Sequence, residues 1–143
     1  MNMLTGEWLQ AAQHYVDLIE AIIQREDLTH LVAFHAEQAV EKVFKALLEE
    51  YDLEFPKIHN LVTLYGLVKN LLPPAMVPIE IDTLNTLNTL YIDSRYPGEF
   101  GLLPEGKPSI EDAREFYQFA RELHASVSAM LVQPPTERAS CAG

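Results

Sequence analysis

Cysteine is nearly absent from this chain of 143 residues. The one thiol, Cys141, lies in the terminal stretch "QPPTERASCAG", so no intrachain disulfide can form and a reducing compartment is the simpler expectation. Basic side chains are also scarce: Lys and Arg total 10 against 21 Asp and Glu, and the net charge of −11 repels a phosphate backbone from most of the surface. Any nucleic-acid role is therefore local. No run approaches the roughly 18 apolar residues of a membrane span, and the opening "MNMLTGEW" has neither the basic start nor the apolar stretch of a signal peptide. We expect a cytoplasmic protein with no membrane association. No His or Cys pair has a zinc spacing, and "YPGEFG" follows a helical pattern instead of opening one after a strand, so neither a metal site nor a phosphate-cradling loop is expected. No cofactor is expected either.

What remains is helical. A hydrophobic content of 48% is enough for one domain with a proper core. Between Thr5 and Gln24, Trp8, Ala12, Tyr15, Ile19 and Ile22 recur at steps of four and three, one face of an amphipathic helix. Asp27 or Thr29 offers an N-cap for a second helix running to about Glu50, with Ala36, Ala39, Val40, Val43 and Leu47 on one arc. Pro56 opens a third pattern that Pro73 and Pro74 stop, and a fourth covers Ile79 to about Ser94. After the Gly- and Pro-rich "YPGEFGLLPEGKPS", Ser109 with Asp112 resembles a capping box for a fifth helix reaching Leu131. We read an all-α, up-and-down bundle of four to five helices over residues 1–132, and a disordered polar tail over residues 133–143.

The second helix carries more polarity than a core helix needs. His35, Gln38, Lys42, Lys45 and Glu49 fall on one stripe, beside Leu31, Phe34 and Leu48. Apolar neighbours on a polar stripe point to a partner or pocket; the plainer alternative is a solvated face with a Glu41–Lys45 helical ion pair. On the fourth helix Asn85, Asn88, Ile92 and Arg95 share a face, and Arg95 suits the negative end of the helix dipole as well as it suits an anion.

Taken in order, "FHAEQAVEKVFKALLEE", "KIHNL", "LYIDSRYP" and a closing helix resemble the HEPN domain family from Trp8 to about Leu131. The resemblance implies a helical bundle that forms a homodimer. It also implies service beside a minimal nucleotidyltransferase in a two-component system of toxin–antitoxin type, and in many members metal-independent ribonuclease activity. The family's ribonuclease signature, an Arg and then a His after four to six residues, is missing where it belongs: no His follows Arg95 before His124. Arg25 and His30 fit the spacing but stand between the first two helices, the wrong place. We therefore expect a component that binds nucleotide, RNA or its nucleotidyltransferase partner through a basic cluster, with His35, Gln38, Lys42, Lys45, Asn88, Arg95 and Tyr96 as binding residues. The alternative is a ribonuclease with a variant site, in which His59 is the acid–base candidate and Arg95 and Lys42 stabilise the charged transition state, with Tyr96 beside them.

Overall fold

Asn2 starts the first helix: its side-chain oxygen accepts from the Thr5 amide at 2.8 Å, satisfying one of the donors that a helix start leaves over. The computed structural model describes residues 1–57, 59–74, 76, 78–94 and 107–138. These form α1 (Met3–Ile22), α2 (Thr29–Glu50), α3 (Leu61–Val68), α4 (Ile81–Ser94) and α5 (Ile110–Leu131), with short 3-10 turns at Glu26–Leu28, Lys69–Leu71 and Pro135–Glu137. There is no strand among the described residues.

α2 is the axis of the bundle and packs against each of the other four helices. Its residues are buried on almost every side. Val40, Val43, Phe44, Leu47 and Leu48 have no exposure, and Ala33, Ala36, Ala39 and Ala46 are equally covered, which lets neighbouring helices approach closely. Each large side chain buried this way contributes about 1.5–3 kcal/mol. α1 runs antiparallel to α2, since Trp8 lies beside Lys42 and Lys45 while Tyr15 lies beside His35. α5 returns along α1: His124 meets the Leu9 carbonyl at 2.9 Å, and the Tyr117 hydroxyl donates to Glu20 at 3.0 Å.

The helix ends explain where the structure departs from the sequence reading. Neither Asp27 nor Thr29 caps α2. The residue before it, Leu28, makes no side-chain cap, and the turn Glu26–Leu28 leads the chain straight into the helix. At its other end Asp52 adopts a left-handed conformation, φ 54°, with the Leu53 amide bonded to the Leu48 carbonyl and the Asp52 amide to Glu49. This paired closure ends the helix and turns the chain back on itself. The helix expected from Pro56 begins only at Leu61, because Asn60 is the residue whose side chain accepts from the Val62 and Thr63 amides. After Tyr51 the chain instead returns toward α2, so that His59 reaches Glu41, about two and a half turns before the helix end.

The expectation at α5 holds: Ser109 accepts from the Asp112 amide at 3.0 Å. Of the tail read from Gln133 onward, residues 133–138 are described. They include the 3-10 turn Pro135–Glu137, and the Arg138 guanidinium docks on Glu50 at 2.8 Å while donating to the carbonyls of Leu131 and Gln133. A buried cation with that many acceptors holds the segment down.

Candidate functional site

Two glutamates one turn apart, Glu37 and Glu41, lie inside the bundle with exposures of 1% and 2%. Their neighbours on the wheel are Ala33, Val40 and Phe44, so the helix that buries those residues buries the carboxylates with them. Buried charge of this kind persists only where it is paired. Glu41 is paired richly: His59 Nδ1 sits 2.9 Å from Oε1, and Lys42 Nζ and Lys45 Nζ lie 3.3 Å and 3.7 Å from Oε2. Burial pushes the Glu41 carboxyl up, but the His59 hydrogen bond and the two lysines together outweigh it and hold its pKa below the ordinary value.

Glu37 is the opposite case. Gln38 Nε2 donates to its Oε2 at 2.8 Å, whereas Oε1 has no partner. Desolvation, helped by the Glu41 charge, pushes its pKa up to about 7. Gln38 then links the two carboxylates into one network, since its Oε1 accepts from Lys42 at 3.4 Å. Trp8 of α1 completes the arrangement, with Lys42 Nζ 5.8 Å and Lys45 Nζ 5.5 Å from its ring centre. Phe55, from the returning segment, packs against the same indole at 5.7 Å.

The residues singled out in the sequence are thus divided. Gln38, Lys42, Lys45 and His59 come together around Glu41. The two lysines are only 18% and 14% exposed, so much of their charge is directed inward, while the His59 side chain is 68% exposed. With Nδ1 held by a carboxylate, its other ring nitrogen is left to solvent. His35 stands apart, half-buried between Tyr15 and Phe34 with Nδ1 unpartnered, and burial lowers its pKa. Asn88 is occupied: its Oδ1 accepts from the Leu61 amide at 3.0 Å and its Nδ2 donates to the Asn60 oxygen at 3.2 Å. That pair of bonds ties α4 to the start of α3 and presents His59 at the joint. Arg95 and Tyr96 lie outside the described residues. Among the described residues no group of His, Cys, Asp and Glu side chains could hold a metal ion, and no helix is long and apolar enough to cross a membrane.

Sequence reasoning missed Glu37 altogether and saw Glu41 only as half of a helical pair. A signal was present: both fall on the arc of Ala33, Val40 and Phe44, where a carboxylate has no reason to be solvated.

A helical bundle built on one buried central helix, with a polar network at the heart of that helix, defines the class. The family model for the HEPN domain matches residues 5–130, and the chain belongs to the HEPN family. No curated protein and no solved structure gives a significant match.

Proposed function

We propose that this chain is the HEPN component of a two-component system of toxin–antitoxin type, working with a nucleotidyltransferase. It engages nucleotide, RNA or that partner through the patch around Lys42, Lys45 and His59. One observation supports this most strongly. In a chain of net charge −11, two lysines and a histidine converge on a single well-ionised carboxylate, while the neighbouring Glu37 carboxyl has its pKa pushed up to about 7. At neutral pH the cluster therefore keeps a net positive charge in an acidic molecule, the local patch that an anionic ligand requires. Arg95 and Tyr96, placed by sequence shortly after α4, add a guanidinium for phosphate and a ring for stacking. In this reading the protein is a cytoplasmic homodimer.

The test is equilibrium binding of a labelled oligoribonucleotide and of nucleotide to the wild type and to Arg95→Ala/His59→Ala, together with co-purification with any nucleotidyltransferase encoded beside it. Salt-sensitive binding that the double variant weakens by about tenfold is the expected outcome. Absence of all three interactions would falsify the reading.

The hydrogen bond between Glu41 and His59 favours a second reading, a metal-independent ribonuclease with a variant site. A carboxylate fixes the imidazole and leaves its outer nitrogen free to take a proton from a ribose 2′-hydroxyl. Lys42 and Arg95 would stabilise the charged phosphorus centre. Cleavage of labelled tRNA in EDTA by the wild type, and not by the double variant, separates this reading from binding alone.

A further inference from the structure

An open hollow of about 410 Å³ lies where α1 begins and α2 ends, lined by Leu4, Glu7, Trp8, Ala11, Glu49 and Phe55. Leu4 and Phe55 are exposed on its wall, and Met3 nearby is 81% exposed. Apolar side chains gathered this way at the surface, with a large aromatic ring among them, mark a contact site more often than a solvated face. The ring is also fixed in place. Phe55 packs against Trp8 at 5.7 Å, and the two lysine ammonium groups over its ring are held by Glu41.

The polar lining is entirely acidic. The carboxylates of Glu7 and Glu49 make no hydrogen bond or ion pair among the described residues. Lys42 and Lys45 face Trp8 from α2 and pair with Glu41, and neither makes an ion pair with Glu7 or Glu49. A second copy of this chain is a poor occupant, since it brings 21 acidic side chains against 10 basic ones to an acidic rim.

We propose that this hollow docks a segment of a partner protein in which a bulky apolar side chain is flanked by Lys or Arg. The apolar side chain enters between Trp8 and Phe55, and the flanking cations meet Glu7 and Glu49. Arg suits the site best, because its guanidinium pairs with carboxylates and, being planar, stacks on aromatic faces. This surface adjoins the patch around His59 and shares Trp8 with it, and the inference stands whether or not that patch binds RNA.

Trp8 is the chain's one tryptophan, so its emission reports directly on the hollow. The probe is a short synthetic helical peptide in which Arg residues flank a central Leu, titrated alongside a counterpart with every Arg replaced by Glu. We expect the Arg peptide to shift Trp8 emission saturably and the Glu peptide to leave it unchanged. Glu7→Gln/Glu49→Gln and, separately, Phe55→Ala are each expected to weaken binding by about tenfold. Glu26→Gln/Glu111→Gln removes the same charge at two exposed positions elsewhere and is expected to leave binding unchanged. Circular dichroism confirms that each variant is folded. No binding of the Arg peptide, equal binding of the Glu peptide, or equal weakening by the remote pair overturns the proposal. So does a dimer in sedimentation velocity that Leu4→Glu dissociates, because a second copy then covers the hollow.

Discussion

Glu37 carries a carboxyl oxygen that is buried without a partner among the described residues. Its pKa of about 7 in the fold, against an ordinary 4.5, means the native state holds a proton that the unfolded chain has released. Between those two values the stability this residue contributes falls as pH rises, by up to about 3 kcal/mol, and the loss is complete above 7. His30 and His35 act in the other direction. Burial lowers both, so below their ordinary 6.5 the unfolded chain binds protons that the fold does not, and stability falls with falling pH. Glu41, held low, loses its contribution only below 4.5. The Glu37 effect is therefore best read as a difference between two proteins. Glu37→Gln keeps an acceptor for Gln38 and removes the titration. We expect it to be more stable than wild type by about 1–3 kcal/mol at pH 8 and nearly equal to it at pH 5. Urea unfolding at the two pH values checks this, and a difference independent of pH would show that Glu37 is ionised throughout.

At the scale of elements, α3 is a helix of eight residues, too short to persist without its surroundings. Asn60 and Asn88 supply much of what it needs. The Asn60 oxygen serves the Val62 and Thr63 amides and accepts from Asn88, which itself takes the Leu61 amide. Asn60→Ala is expected to cost about 1–2 kcal/mol, and Asn88→Ala about the same, since each leaves helix-start amides unserved. The pair shares partners, so the double variant should cost less than the sum of the two singles. Guanidinium unfolding of all four proteins closes the cycle; strict additivity would mean that the bridge contributes nothing.

The same element shows what could be read from sequence. Ser109 and Asp112 announce the start of α5 because cap and helix are neighbours in the chain. The stripe on α2 is equally legible, since helical spacing alone puts His35, Gln38, Lys42, Lys45 and Glu49 side by side. What the stripe faces is not local. His59 reaches Glu41 only because the chain doubles back after Asp52, a left-handed position filled by Asp where Gly is the familiar signal. Pro56 looked like a helix start, yet it lies in the returning segment, and Asn60, four residues on, does the capping.

For the molecule as a whole, the far end of α2 gathers the two ends of the described chain. Glu50 accepts from the Asn2 amide at 3.0 Å, the Thr5 hydroxyl at 3.0 Å and Arg138 at 2.8 Å. Arg138 is 4% exposed and also meets the Tyr51 hydroxyl at 3.4 Å. Burial pushes the Glu50 carboxyl up, but these donors together hold it below its ordinary value. Arg138→Ala removes the cation and leaves the carboxylate with its neutral donors, so we expect a loss of about 2–3 kcal/mol at neutral pH, shrinking as acid protonates Glu50. Chemical unfolding at pH 7 and pH 3 measures both parts.

Residues 2 and 138 thus bond to one side chain, and the order in which the helices are strung together matters less to the bundle than where they meet. A short linker from residue 138 back to residue 1, with the chain reopened between Pro73 and Pro74, would give a circularly permuted protein that begins with α4 and keeps every helix beside its present neighbours.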